Sequence, residues 1–190
     1  MSVRDYSFIC GRFVPEAPPR EERVRMTAED ICQELETLRG RGVPLEDLLA
    51  KAVERLHDSH PQFHWTGIYE LFPDNVLRLG PFIGAPTDHV FIAVGRGVCG
   101  SAVAQKRNMN VPDVSKAPEY LACSSATRSE LVVLIRSGGE IFAQIDIDSH
   151  ELDAFDAKAV TEVEKVAEWL AGAYAAGRSR GPMGGAPVAG

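Results

Sequence analysis

Five side chains of this sequence could do chemistry together: the thiols of Cys99 and Cys123 and the carboxylates of Glu130, Asp146 and Asp148. A thiol that loses its proton is a nucleophile and can climb a reversible oxidation series. A carboxylate can hold an ammonium group or hand a proton to a departing oxygen. Cys99 lies in Gly95-Arg-Gly-Val-Cys-Gly100, where small residues let the backbone bend and let a second molecule approach. Cys123 lies in the run Leu121-Ala-Cys-Ser-Ser-Ala-Thr-Arg-Ser-Glu130. Asp146 and Asp148 are two apart, so in a strand both point to one face. Such a set offers thiol redox chemistry or capture of a small polar ligand. Residue types alone favour a plainer reading, core cysteines and loop acids, because free cysteine is among the most buried residue types.

These groups must be placed by elements that the patterning predicts. Thr27 with Asp30 reads as a helix N-cap and capping box, followed by the stripe Ile31, Leu35 and Leu38, with Cys32 taken as core. Gly40 and Gly42 end that helix. Pro44 starts a second one, whose apolar face is Leu45, Leu48, Leu49, Ala52, Val53 and Leu56. His57, His60 and His64 follow in what reads as a solvated polar turn; their spacing fits no metal-ligand pattern. From Phe63 the period becomes two: Phe63, Trp65, Gly67 and Tyr69 share one face, His64, Thr66 and Ile68 the other. Phe72 to Val76 is a hairpin turn, and a return strand runs to Ile83. A short strand at 89–94 and a short helix at 101–106 come next. Strands at 130–136 and 140–148 flank the tight turn Ser137-Gly-Gly139. Asp153 or Asp156 caps a long final helix with Ala159, Val163, Val166 and Leu170 inside. The fold class is α+β: an antiparallel sheet with helices from both chain ends on one face. Residues 1–26 read as an arm and linker, 27–176 as one domain, and 177–190 as a disordered tail rich in glycine and proline. Cys10, in the arm, reads as incidental.

Composition narrows the partners. The chain has 190 residues, 45% hydrophobic and 25% charged, with a net charge of -7. No basic excess exists to neutralise phosphates, which argues against nucleic acid and anionic membranes. No apolar run is long enough to span a bilayer and no signal segment follows the N-terminus, so a cytoplasmic location is expected. Four cysteines at irregular spacing do not suggest a disulfide framework.

Several motifs occur in a set order: Trp65-Thr-Gly-Ile-Tyr69, Leu79-Gly-Pro-Phe82, Gly95 to Gly100, Cys123 with Ser129-Glu130, and Asp146-Ile-Asp-Ser149. Together, over about residues 28–172, they resemble the GAF-domain free methionine-(R)-sulfoxide reductases. The resemblance implies a GAF-like fold and a thiol mechanism. Cys123 matches the nucleophile, which attacks the sulfoxide sulfur, releases methionine and becomes a sulfenic acid. Cys99 matches a cysteine that resolves it as a disulfide, and a thioredoxin-type reductant restores both thiols. Glu130 matches the acid at the sulfoxide oxygen. Asp146 and Asp148 match the acids that hold the ammonium, and Trp65 and Tyr69 the aromatic wall. No bound cofactor and no metal are implied; a homodimer is, by analogy alone. The sequence departs from the family pattern in four places. His89 stands where a further cysteine is usual, ten residues before Cys99. Ser124 replaces an aspartate, Leu134 a proline and Ala143 a glycine. Without that cysteine, recycling falls to Cys99 or an outside thiol. The competing reading is a non-catalytic GAF sensor or binding module for a small zwitterion or anion; a third is a dimerisation scaffold. Several roles stay open between a functional and a structural reading: Cys99 as resolver or small buried residue, Trp65 and Tyr69 as wall or core. His89 reads as a modifier of Cys123 or as an exposed strand end.

Overall fold

The computed structural model describes residues 25–117 and 126–179. The arm with Cys10, the tail from 180 onward and the segment 118–125, with Cys123 and Ser124, lie outside the described residues. The order of elements is α1 (Ala28–Gly40), α2 (Leu45–Ser59), β1 (Trp65–Leu71), β2 (Val76–Ile83), β3 (Phe91–Ala93), α3 (Gly97–Gln105), β4 (Met109–Val111), β5 (Ser129–Ser137), β6 (Glu140–Ser149) and α4 (Ala157–Ser179).

Local signals account for the terminal helices. The Thr27 hydroxyl accepts the Asp30 amide, and the Asp30 carboxylate accepts the Thr27 amide at 2.9 Å, so two otherwise orphaned donors are met. Asp156 accepts the Ala159 amide at 2.7 Å and so is the cap of α4. The apolar stripes of α1, α2 and α4 then need a common surface to cover.

That surface is a six-stranded sheet in the order β3-β2-β1-β6-β5-β4, antiparallel throughout. Ile68, Leu131, Val133, Ile145 and Ile147 face the three helices and form the larger core with Leu35, Leu56, Val163 and Leu170. The expected α+β arrangement, with helices from both chain ends on one face, is the arrangement found. The other face carries Trp65, Tyr69, Leu77, Ile92, Val132 and Leu134, packed with Val98, Cys99, Ala102 and Val103 of α3.

Two elements differ from the sequence reading. Helix α2 runs on to Ser59, and His57 is buried within it rather than lying in a solvated turn. His57 follows Leu49 and Val53 at four-residue steps, so it continues the apolar stripe and points at the sheet. Its Nδ1 lies 3.4 Å from the Thr66 hydroxyl. His60 is half-buried against Glu162 at 3.3 Å, and burial holds its pKa below the usual range. Helix α3 starts at Gly97, not Ser101, so Cys99 sits in its first turn rather than in a glycine loop. Glycine is a poor helix former. Here the close approach of α3 to the sheet decides the matter, because a Cβ at Gly100 would collide with the Ala93 carbonyl.

The β5–β6 hairpin contains a register shift. Gly138 and Gly139 both have positive φ, 57° and 85°, as a two-residue hairpin turn requires. Next to the turn Ser137 pairs with Glu140 and Arg136 with Ile141; beyond a bulge Ile135 pairs with Ala143. From there the shifted register holds to the far end, where Glu130 pairs with Asp148.

Candidate functional site

Strand register builds the site in rows across the α3 side of the sheet. Trp65, Asp148, Glu130 and Val111 are successive partners across β1, β6, β5 and β4. The next row is Gly67, Asp146, Val132 and Met109; the third is Tyr69, Gln144 and Leu134. Glu130 and Asp148 therefore stand directly opposite each other, a pairing that repels if both are ionised. Helix α3 closes over them, and the Cys99 thiol lies 3.8 Å from Glu130 Oε1. Cys99 Sγ and one oxygen each of Glu130 and Asp146 all lie within 4.8 Å of one another.

The acids are buried: Glu130 is 3% exposed, Asp146 0% and Asp148 2%. All four carboxylate oxygens of Asp146 and Asp148 are without a hydrogen-bond partner among the described residues. The Thr127 hydroxyl is near enough to Asp148 to favour its carboxylate, yet completes no hydrogen bond to it. No described lysine, arginine or histidine forms an ion pair with any of the three. Burial therefore dominates their titration. It pushes Glu130 well above the usual carboxylate range, and the charges of Asp146 and Asp148 push it further. Burial raises Asp146 to about 7 even though the neighbouring Cys99 thiol and Glu130 carboxyl, which meet it in no well-formed hydrogen bond, pull it down. Burial plus the charge of Asp146 raises Asp148 well above its ordinary value. Bare, such a cluster keeps protons near neutrality; a bound cation would allow the carboxylates to form.

Aromatic rings bound one side. A Cβ at Gly67 would run into the Trp65 ring, so glycine is what lets the indole lie across the sheet here. Trp65 Nε1 donates to the Ala85 carbonyl at 3.1 Å, and the indole stacks on Phe82 at 5.6 Å between centroids. Tyr69 lies 6.3 Å from the indole and donates its hydroxyl to the His89 carbonyl at 2.8 Å. The backbone of His89 is thereby tied to this wall, while its side chain is half-buried.

So Trp65, Tyr69, Cys99, Glu130, Asp146 and Asp148 come together on one face of the sheet. Cys123 lies outside the described residues. Cys32 belongs to the opposite side of the molecule, half-buried with Sγ 3.9 Å from the Lys165 carbonyl, and burial pushes its thiol pKa up. Gln144 was missed. It is fully buried, and both its side-chain amide atoms lack a partner among the described residues. The two-residue period that exposed Asp146 and Asp148 would have found it. What was also missed is that Cys99, Glu130 and Asp146 stand close enough to share one ion, because the three come from three elements and carry no short spacing motif. A shallow depression of about 590 Å³, lined by Leu71, Phe72, Val103, Lys106 and Glu140 among others, sits at the other end of these strands and holds none of these groups.

With this geometry in place, similar proteins can be set beside it. A family model described as the GAF domain matches residues 44–174. GAF domain-containing protein A of Dictyostelium discoideum is 44% identical over 94 residues, which is 50% of this chain and 59% of that protein. A protein of Saccharomyces cerevisiae named free methionine-R-sulfoxide reductase is 39% identical over 110 residues, 56% of this chain and 61% of that one. The chain thus spans roughly three-fifths of the length of these two relatives. A solved structure of free methionine-R-sulfoxide reductase from Neisseria meningitidis in complex with its substrate superposes with a TM-score of 0.73 at 30% identity, covering 80% of this chain and 91% of that one.

Proposed function

We propose a reductase function on one premise: the chain belongs to the GAF domain family. Within that family it is similar to proteins named free methionine-R-sulfoxide reductase. The reaction we assign is reduction of free methionine-(R)-sulfoxide to methionine. The observation that carries it is the buried acid row of Glu130, Asp146 and Asp148, with no ion pair to any cationic side chain among the described residues, beside Cys99 and the Trp65–Tyr69 wall. A zwitterionic amino acid supplies what this row lacks. Its ammonium offsets Asp146 and Asp148, with a charge-assisted hydrogen bond to each. Its methyl and sulfur pack against the indole. Glu130, kept protonated by burial, gives its proton to the sulfoxide oxygen as the S–O bond breaks.

In this reading the Cys123 thiolate attacks the sulfoxide sulfur. The oxygen passes from the methionine sulfur to the Cys123 sulfur, a new S–O bond forming as the old one breaks. Methionine departs with both electrons of the transient sulfur–sulfur bond, and Cys123 is left as the sulfenic acid. The Cys99 thiol then attacks that sulfur, water leaves, and a disulfide forms. A thioredoxin-type dithiol reduces the disulfide in the cytoplasm. The sum is one sulfoxide and two external thiols to methionine, one external disulfide and water. No bound cofactor enters this scheme. A homodimer is compatible with it and is not required by it. His89 acts, if charged beside Cys123, by favouring the thiolate.

A second reading is favoured by one observation: His89 stands in the place of the family's further cysteine. A chain that kept the acid row but could not recycle would be a GAF binding module for a small zwitterion or anion. The deciding experiment is NADPH consumption with thioredoxin, thioredoxin reductase and methionine-(R)-sulfoxide. Wild type should turn over and Cys123→Ser should not. Asp148→Asn should lose about 10²-fold in kcat/KM, the scale of a lost buried ionic contact. Equal silence from wild type and Cys123→Ser, with the sulfoxide still raising Tm, would establish the binding module instead.

A further inference from the structure

We infer that the reduced site is also a binding site for a single thiophilic divalent cation of the zinc type, held by Cys99 Sγ, Glu130 and Asp146. The three donor atoms lie within 4.8 Å of one another, and the Cys99–Glu130 separation is 3.8 Å. Tetrahedral zinc with one sulfur and oxygen ligands holds its donors roughly 3.5 Å apart, given bonds of about 2.3 and 2.0 Å. The cluster needs side-chain adjustments of about an ångström, with no movement of the strands. A thiolate with two carboxylates is a donor set that suits zinc or cobalt and is too soft for magnesium or calcium.

A second observation points the same way. Asp146 is fully buried on the same strand face as Asp148, and neither oxygen of either carboxylate has a hydrogen-bond partner among the described residues. Buried acids without partners are costly, and a dication between them removes the cost. On binding, the thiol proton leaves to solvent as the sulfur–metal bond forms. The fourth position stays open to water or to a displaced side chain.

The consequence is reversible inhibition. Metal and a substrate ammonium would compete for Asp146, and a metal-bound Cys99 sulfur could not resolve a sulfenic acid. This regulatory part rests on the proposed reductase reading; the metal site itself does not.

The test is an anaerobic titration of the fully reduced chain with Co²⁺, followed by absorption. We expect one equivalent to bind with a thiolate-to-cobalt charge-transfer band and tetrahedral visible bands. The band should vanish in Cys99→Ser, persist in Cys123→Ser, and require at least about tenfold more metal in Asp146→Asn and Glu130→Gln. The His64 and His150 rings stack at 4.1 Å and could take a stray ion, so His150→Ala serves as control and should leave the band intact. X-ray absorption of the zinc-loaded wild type gives a readout that needs no variant: one sulfur at about 2.3 Å and the rest oxygen. Absence of a charge-transfer band, its survival in Cys99→Ser, or a shell with imidazole or a second sulfur would each overturn the site. All of these read metal binding rather than turnover, so a chain inactive as a reductase would still decide the question.

Discussion

The two faces of the sheet are built from the same strands by opposite rules. Toward α1, α2 and α4, the side chains of β1, β5 and β6 are almost wholly apolar, and Leu35, Leu56, Val163 and Leu170 close the core with no exposed surface to speak of. Toward α3, the same β6 presents Gln144, Asp146 and Asp148, fully buried with no partner for any of their side-chain polar atoms among the described residues. One strand thus carries both patterns at alternate residues. The helix-covered face supplies stability, and that surplus is what lets the other face hold groups that destabilise the bare protein.

Breaking the first face should show the larger effect. Leu170→Ala removes a fully buried side chain of α4 and should cost about 2–5 kcal/mol, read by urea denaturation. Ligand affinity of the remaining folded fraction should be nearly unchanged. A matching loss of affinity would mean that the two faces are not separable.

The second face should respond with the opposite sign. Asp146 is raised from 3.8 to about 7 in the fold, so the native state retains a proton that the unfolded chain gives up. A raised carboxyl contributes stability that is present below the unfolded pKa and is lost as pH climbs through the folded one. Asp146→Asn should match wild type near pH 4 and be more stable by roughly 2–4 kcal/mol at pH 8, the gap opening between about 4 and about 7. A variant that is less stable than wild type at pH 8 would show that the carboxylate is satisfied after all.

A smaller effect sharpens the same contrast. Thr27→Ala removes the hydroxyl side of the α1 capping box and should cost about 1 kcal/mol in Tm-derived stability, leaving ligand binding and its pH profile untouched.

How much of this was legible depended on the range of the signal. The α1 cap, the Gly138-Gly139 turn and the pairing of Asp146 with Asp148 on one face are local and were readable from spacing. Trp65 and Tyr69 were readable as one face of a strand, though not what holds them: the Ala85 and His89 carbonyls are 20 residues away. His57 was misread because a histidine at the end of an apolar stripe looks polar in sequence and is buried in space. The start of α3 was misread because three glycines outweigh helix propensity on paper, whereas close packing on Ala93 selects Gly100 and positive φ selects Gly95 and Gly97. The opposition of Glu130 and Asp148 could not be read at all. Counting back from the hairpin turn places Glu130 across from Ile147, and only the bulge corrects that count.

That single unpaired residue has a lasting effect on how this gene can change. Were Phe142 paired like its neighbours, Glu130 would lie across from Ile147, Asp146 and Asp148 would turn toward the helices, and the whole acid row would come apart while every letter of it survived. Loss of Phe142 alone would leave Glu130 opposite Asp148, whereas a single loss or gain between Gln144 and Asp148 would turn the acids beyond it to the other face. An alignment that tolerates one odd gap between Gln144 and Asp148 would be comparing chains whose matching letters face opposite directions.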